Sequence, residues 1–250
     1  MSKKTQIKRL YWDIEVTPNK GYFWRPGKQY IGYESIIEEA KIICICWKWE
    51  GEKTVHALTW DKNHNDKQML IDFIKVMNEA DECVGQNSDK FDEPWVRSRC
   101  IYHGIEMFPK YTSLDTMQVA RRNFRFNSNR LDYLGKLLIK QQKIKTDFDL
   151  WINTMNNVPG YLEKMVKYCK GDIKVLEGVY KIMAPYIKNH VNHAKLQGKD
   201  ACHCPECASS NTVLSKYRTT LAGTIKTQLQ CKDCRKYFTI RKSEYDKIFK

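Results

Sequence analysis

The chain has 250 residues, of which 42% are hydrophobic, and its mean hydropathy is −0.62. This composition excludes disorder throughout and allows one large domain, or a medium domain with a small one. Lys and Arg number 43 against 29 Asp and Glu, so the net charge of +14 indicates a polyanionic partner, with nucleic acid the first candidate. The longest apolar run, residues 42–47, is far shorter than the roughly 20 residues of a membrane-spanning helix, so we expect no membrane association.

Strand-like and helix-like patterns alternate over the first 185 residues, which is typical of an α/β domain. Predicted strands cover residues 7–16, 41–50, 53–60 and 82–86, the second and third forming a hairpin about Gly51. Predicted helices cover residues 66–80, 94–104, 114–121, 131–138 and 161–183. Asn129 and Asp132 are predicted to cap the fourth helix. Asp115 is predicted to cap the helix that comes directly after this residue. We expect a mixed sheet flanked by helices in residues 1–187, a linker over 188–200 and a small domain over 201–250.

Aromatic and basic side chains alternate between the first strand and the hairpin, in residues 21–35. The aromatic ones are Tyr22, Phe23, Trp24, Tyr30 and Tyr33. Such a segment could stack bases and hold phosphates, or its aromatic rings could pack on the domain. We favour packing, because buried aromatic residues are common.

Acidic residues at three places in the chain could act together. Asp13 and Glu15 stand two apart in an apolar strand, so both carboxylates share one face, where a divalent metal ion would neutralise them. Asp92 follows a strand and a polar turn and precedes Pro94, so it should lie at a helix N-terminus. Tyr168 and Asp172 are four apart in the last long helix and share a face. Each element alone has a plain structural interpretation, and their order is what makes the set specific.

In this order the chain resembles the 3′-5′ exonucleases of the DEDD superfamily, in the version with Tyr before the last Asp. It is most similar to phage and prophage RNase H-like proteins related to the exonuclease domain of family B DNA polymerases. Besides the acids, the matching segments are residues 12–18, 85–87 and 128–134, and the resemblance spans about residues 8–185.

The resemblance implies an RNase H-like sheet on which Asp13, Glu15, Asp92 and Asp172 converge on two Mg²⁺ or Mn²⁺ ions. Two such ions activate water and stabilise the leaving 3′ oxygen, which an anionic phosphodiester requires. Tyr168 would orient the attacking water. The implied activity is removal of nucleoside 5′-monophosphates from single-stranded or frayed 3′ ends, with DNA favoured over RNA. The chain would then be cytoplasmic, in the host cytoplasm if a phage encodes it.

Substrate contacts are predicted at two places. Asn87 and Phe91 flank Asp92, and similar exonucleases use such positions to bond or stack the terminal nucleotide. The densest basic stretch of this half could contact phosphates or could be a solvated charged face: Arg121, Arg122, Arg125 and Arg130.

The ten cysteines divide into two groups. Five are scattered through apolar or helical patterns, as reduced core residues of a cytosolic protein would be: Cys44, Cys46, Cys83, Cys100 and Cys169.

In the tail, two Cys-x-x-Cys knuckles predict a structural zinc ribbon with one Zn²⁺ on four thiolates: Cys204, Cys207, Cys231 and Cys234. Cys202 and His203 leave the first knuckle ambiguous, although the spacing favours Cys204. Ala208 and Arg235 stand where glycine often follows each knuckle.

From residue 199 onward the tail has 11 Lys and Arg against 5 Asp and Glu. It could therefore bind nucleic acid, or a protein partner. Two other functions compete with the exonuclease: a catalytically silent nucleic-acid-binding module, and an RNase H-like endonuclease. The sequence does not indicate an oligomeric state.

Overall fold

Three sheets and eight α-helices form in the part of the chain that the computed structural model describes, residues 7–25, 27–107, 110–187 and 192–249. The strands are β1 (Arg9–Val16), β2 (Lys20–Gly21), β3 (Ile36–Glu38), β4 (Ile42–Trp49), β5 (His56–Thr59), β6 (Glu82–Gly85), β7 (Thr112–Asp115), β8 (Thr212–Thr219), β9 (Ile225–Cys231) and β10 (Tyr237–Arg241). The helices are α1 (Lys67–Glu79), α2 (Asp92–Tyr102), α3 (Thr116–Asn123), α4 (Leu131–Leu134), α5 (Asp149–Met155), α6 (Tyr161–Met183), α7 (His193–Leu196) and α8 (Lys242–Phe249).

The main sheet has five strands in the order β5-β4-β1-β6-β7. Strand β4 pairs antiparallel with β1 on one side and with β5 on the other. Strands β4 and β5 form a hairpin, in whose turn Gly51 adopts a left-handed conformation with φ +87°. Helix α1 then carries the chain across, so that β6 pairs parallel with β1, and β7 pairs parallel with β6. The expected α/β domain with a mixed sheet flanked by helices is confirmed.

Each face of this sheet has its own hydrophobic core, and β1 contributes alternate residues to both. Leu10, Trp12 and Ile14 point toward α1 and α2, where Trp12 packs against Phe73 with ring centroids 5.5 Å apart. Tyr11 points toward α6 and meets Tyr180 edge to face at 5.6 Å. Because strand side chains alternate, Asp13 and Glu15 share the α6 side of the sheet with Tyr11.

Two sequence-based boundaries and one predicted helix cap were wrong. Residues 114–121 were expected to be helical throughout, but the first part forms β7, because Leu114 pairs with Val84 at the sheet edge. The helix expected at Pro94 begins two residues earlier, at Asp92. The predicted cap pair of α4 is absent, since Arg130 occupies the N-cap and makes no side-chain capping bond.

After α4 the chain continues as a π-type turn, Gly135–Ile139, and not as the α-helix expected to residue 138. Gly135 permits this turn to lie directly on α6, since a Cβ there would come 2.5 Å from Val175. The expected cap at Asp115 is confirmed, because its Oδ1 accepts a hydrogen bond from Met117 N at 2.8 Å.

The aromatic segment between β2 and β3 is exposed, so the expectation that its rings pack on the domain was wrong. Trp24 and Tyr30 have relative exposures of 103% and 95%. Tyr22, Phe23 and Tyr33 are exposed as well. The short β2–β3 ribbon therefore presents these rings to solvent.

The tail, which contains a sheet in the order β10-β9-β8, packs on the α/β domain through buried charges of its knuckle loops. Arg9, 3% exposed, bonds Glu82 Oε2 at 2.5 Å and lies 3.6 Å from Glu206 Oε1 in the tail. Its guanidinium lies 4.7 Å from the ring centroid of Tyr180, whose hydroxyl donates to Glu206 at 3.1 Å. From the tail, Lys236 donates to the Ile187 carbonyl.

The described part of the predicted linker, residues 192–200, contains α7. His193 is buried there, its Nε2 accepts a hydrogen bond from Arg9 Nη2 at 2.8 Å, and its backbone N–H donates to Pro205 O at 2.8 Å. Residues 188–191 lie outside the described residues.

Replacing Arg9 with Met should lower the free energy of unfolding by about 3–5 kcal/mol, because Glu82 and Glu206 would lose a buried cationic partner. Denaturant unfolding of the full chain measures this loss. The control is Lys8→Met, whose pair with Glu79 is more than half exposed and should cost about 1 kcal/mol or less. Equal losses in the two variants would contradict a central role for the buried network.

Candidate active site and metal centres

Strand β1 places two carboxylates near the middle of the sheet. Asp13 pairs with Cys46 and Glu15 pairs with Cys44 in the antiparallel register with β4. Both carboxylates face α6, as the alternation of β1 requires. A bulge follows Glu15, where the register shifts before Val16.

The third carboxylate comes from the start of α2. Asp92 is 2% exposed, and its Oδ1 accepts a hydrogen bond from the backbone N–H of Ile14 at 3.2 Å. This bond holds the Asp92 carboxylate against β1 at Ile14, the residue between Asp13 and Glu15. Its position in the first helical turn also favours negative charge there.

Helix α6 packs across β1 and β4 and supplies the fourth carboxylate. Asp172 is 2% exposed, and its Oδ1 has no hydrogen-bond partner among the described residues. One turn earlier, Tyr168 lies edge to face against Trp151 with centroids 5.9 Å apart. This buried carboxylate oxygen of Asp172 is therefore available as a ligand for a metal ion.

The four carboxylates act on one another electrostatically. Burial raises the pKa of Asp13 well above its usual range, and the charges of Asp92, Glu15 and Asp172 raise it further. Burial, followed by the charge of Asp172, raises the pKa of Glu15 to about 8. Burial likewise raises the pKa of Asp92 to about 7. Such mutual repulsion is relieved by a divalent cation, for which carboxylate oxygens are suitable ligands.

Lys143 is a residue of this site that the sequence did not reveal. Its Nζ lies 2.5 Å from Asp172 Oδ2 and 5.2 Å from the ring centroid of Tyr168. Burial disfavours its charged form, but the attraction of Asp172 outweighs burial and raises the pKa of Lys143. It lies in a loop without periodicity, so no pattern in the sequence distinguished it from the many other lysines.

The segments at 85–87 and 128–134 meet in the structure. Gln86 Nε2 donates to the carbonyl of Asn129 at 2.7 Å, and its Oε1 accepts from Thr116 Oγ1 at 2.5 Å. Asn87 has a left-handed backbone, φ +62°, and donates its N–H to Asp115 Oδ1 at 2.8 Å. These bonds hold the turn before Asp92 against the start of α4.

A groove of about 780 Å³ opens beside the acids. Its lining includes Asn87, Arg130, Asp132, Lys143, Lys145 and Tyr168. Two of the six predicted substrate contacts, Asn87 and Arg130, therefore lie on the groove. Phe91 is 43% exposed at the N-cap of α2 and does not line it.

The remaining basic residues of the predicted stretch point elsewhere. Arg121, Arg122 and Arg125 are exposed, and none of them lines the groove beside the acids. Arg122 lines a separate cavity of about 460 Å³, together with Asp89 and Asp115. Asp89 is exposed and accepts from Ser113 Oγ at 2.6 Å, consistent with a residue outside the site.

The tail brings the four knuckle cysteines together. All four sulfurs lie within 4.8 Å of one another, with Cys204 3.5 Å from Cys234 and Cys207 3.6 Å from Cys231. The backbone N–H of Glu206 points at Cys204 Sγ at 3.4 Å, a contact that favours a thiolate. These four residues could hold a metal ion, and their donor set suits Zn²⁺.

Of the two cysteines near the first knuckle, Cys204 lies in the four-sulfur cluster and Cys202 does not. Cys202 lies in the small core of the tail with Leu229 and Ile240. His203 Nδ1 pairs with Asp200 at 3.0 Å. Ser209 and Asn211 both donate to Asp233, which ties the first knuckle to the second.

No family model and no curated protein matches the sequence. Among solved structures, the family B DNA polymerase from the hyperthermophilic archaeon Pyrobaculum calidifontis is similar, with a TM-score of 0.56 and 15% sequence identity. The match covers 72% of this chain and 25% of the polymerase, so the chain spans a quarter of that polymerase's length. At this identity the similarity shows a shared fold alone. No described helix has the length and apolar character needed to cross a membrane.

The raised carboxyl pKa values predict that metal-free protein loses stability as pH rises. Glu15 and Asp92 titrate near 8 and 7 when folded, against 4.5 and 3.8 ordinarily, so the folded state holds protons that the unfolded chain has released. The stabilisation that comes from these protonated carboxyl groups is complete below about pH 4 and is lost as pH rises toward 8. We expect the melting temperature to fall by several degrees between pH 5 and pH 8.

The variant Asp92→Asn should flatten this fall, and Mn²⁺ should reduce it in the wild type. Asp89→Asn, in the same turn but exposed, should keep the wild-type slope. Identical slopes for wild type and Asp92→Asn in thermal melts would contradict the assignment.

Glycine substitutions should stabilise the tail at two positions. Ala208 and Arg235 have φ values of +54° and +63°, a left-handed conformation that costs L-residues roughly 1–2 kcal/mol. Glycine avoids this cost but loses about 0.5–1 kcal/mol to chain entropy, so each substitution should add roughly 0.5–1 kcal/mol. Thermal or chelator-induced unfolding measures the gain. Ala201→Gly, whose φ is not positive, should destabilise the tail and serves as the control.

Proposed function

We propose that this chain is a two-metal-ion 3′-5′ exonuclease with an RNase H-like domain and a zinc ribbon. The observation that carries the proposal is the convergence of Asp13, Glu15, Asp92 and Asp172 beneath a groove that contains Tyr168 and Lys143. Two further features support it. The mixed sheet has three antiparallel strands followed by two parallel ones, and the fold is shared with a family B DNA polymerase.

The carboxylates would hold two Mg²⁺ or Mn²⁺ ions, which supply an activated water and stabilise the leaving 3′ oxygen. Asp92 is held for this role by Ile14 N–H, and Asp172 by Lys143. These contacts keep the ligand oxygens in place without blocking Asp172 Oδ1.

Tyr168 would position the attacking water. Burial raises its pKa to about 12, so its hydroxyl remains protonated near neutral pH and can donate a hydrogen bond. The ring packs edge to face against Trp151, and Lys143 Nζ lies 5.2 Å from its centroid. Lys143, next to Asp172, can also attract an anionic phosphate.

The groove would receive the 3′ end, with Asn87 and Arg130 contacting the terminal nucleotide and its phosphate. Phe91, Arg121, Arg122 and Arg125 lie away from the groove and would contact a longer strand. The strands of the tail carry exposed basic residues, Lys216, Arg218 and Lys226, which would give a second contact with nucleic acid or a protein partner. We favour single-stranded or frayed DNA ends and release of nucleoside 5′-monophosphates.

Degradation of labelled oligonucleotides tests the proposal. With Mg²⁺, a 5′-labelled single strand should shorten stepwise, and a 3′-labelled one should release labelled mononucleotide first. Asp13→Asn and Asp172→Asn should each reduce the rate by about 100-fold or more, because loss of outer-shell partners alone costs 10–100-fold. Asp89→Asn is the matched control and should retain the wild-type rate.

The same assay separates the alternatives. Cleavage of a strand blocked at its 3′ end would indicate an endonuclease. Binding of DNA without any metal-dependent cleavage would indicate a silent binding module. Unchanged degradation by Asp172→Asn would overturn the assigned site.

A further inference from the structure

Three of the five scattered cysteines converge in the core between the sheet and α6. The sulfurs of Cys44, Cys46 and Cys169 lie within 4.8 Å of one another, and all three residues are fully buried. The other two, Cys83 and Cys100, belong to the core on the opposite face of the sheet. The sequence predicts five unrelated core thiols, whereas the fold makes three of them neighbours.

The strand register explains why these thiols adjoin the acids. Cys44 and Cys46 are alternate residues of β4, so both face α6, and they pair with Glu15 and Asp13 across the ladder. Cys169 comes from α6, between Tyr168 and Asp172. The thiol cluster and the carboxylate cluster therefore lie side by side on one face of the sheet.

Asp13 belongs to both clusters. Cys169 Sγ lies 3.6 Å from Asp13 Oδ2, and the ligand atoms of Asp13, Glu15 and Cys169 also lie within 4.8 Å of one another. The three sulfurs provide three ligand atoms, and Asp13 Oδ2, which lies beside the sulfur of Cys169, could provide a fourth. Zn²⁺ and Cd²⁺ commonly take four ligands and bind thiolates well, whereas Mg²⁺ and Mn²⁺ prefer oxygen.

We infer that Cys44, Cys46 and Cys169, with Asp13, form a metal site for a thiophilic divalent cation such as Cd²⁺ or Zn²⁺, in addition to the carboxylate site and the knuckles of the tail. Binding exchanges the thiol protons for the metal, and the protons pass to solvent. A divalent ion offsets more of the resulting buried negative charge than a monovalent ion would. Since Asp13 is shared, an ion on the thiols weakens binding of Mn²⁺ by the neighbouring carboxylates.

Cd²⁺ binding to the zinc-loaded full chain tests the site directly. Cd–thiolate bonds absorb in the ultraviolet, and zinc release reports any exchange at the tail knuckles. We expect one equivalent of thiolate-bound Cd²⁺ that displaces protons but no zinc. Cys46→Ala and Cys169→Ala should weaken this binding by at least about tenfold.

Matched controls are Cys83→Ala and Cys100→Ala, which remove equally buried thiols from the opposite face and should bind Cd²⁺ like the wild type. Melting curves and retained zinc verify that each variant folds. The inference would be overturned if Cd²⁺ binds only when an equal amount of zinc is released, even after the protein is refolded in the presence of Cd²⁺. Equal weakening by Cys83→Ala would do the same.

Mn²⁺ binding, followed by electron paramagnetic resonance, tests the shared ligand. Cd²⁺ should lower Mn²⁺ affinity at least about tenfold in the wild type and much less in Cys46→Ala, which keeps every carboxylate. An unchanged Mn²⁺ affinity would overturn the sharing of Asp13. The thiol site does not depend on the proposed nuclease activity: absence of Mn²⁺ binding would count against the nuclease, whereas Cd²⁺ binding decides the thiol site.

Discussion

Buried negative charge is the constraint on which this structure depends. Asp92 and Asp172 are buried and Asp13 is half-buried, so each carboxylate raises the free energy of ionising its neighbours. Nothing in the hydrophobic core requires acids at these positions, and their burial works against stability near neutral pH. Lys143 offsets part of the repulsion from the side of Asp172. Divalent cations would offset the rest, which is why folding and metal binding at this site should be thermodynamically linked.

Two elements carry most of this arrangement, and both use a simple periodicity. Strand β1 alternates between two cores, so that an apolar strand buries Leu10 and Trp12 on one side while it presents Asp13 on the other. Helix α6 delivers Tyr168 and Asp172 from one turn of a long helix packed over β1 and β4. The residues that stabilise the domain and those proposed for catalysis thus alternate along the same segments.

A second set of buried charges joins the tail to the domain. Arg9 lies at the beginning of β1, a few residues from Asp13, and reaches Glu206 beside the first knuckle. The tail is therefore positioned by the same strand that carries the candidate active site.

The sequence alone determined the α/β class, the long helix, the hairpin, the order of the acids and the four knuckle cysteines, because each depends on local periodicity or short spacing. It did not determine β7, since four residues are too few to show a period and Leu114 is a strand residue only through its pairing with Val84. It also failed to place Lys143 beside Asp172 or to gather Cys44, Cys46 and Cys169. Those contacts join segments more than 25 residues apart, and only the packing of α6 on the sheet decides them.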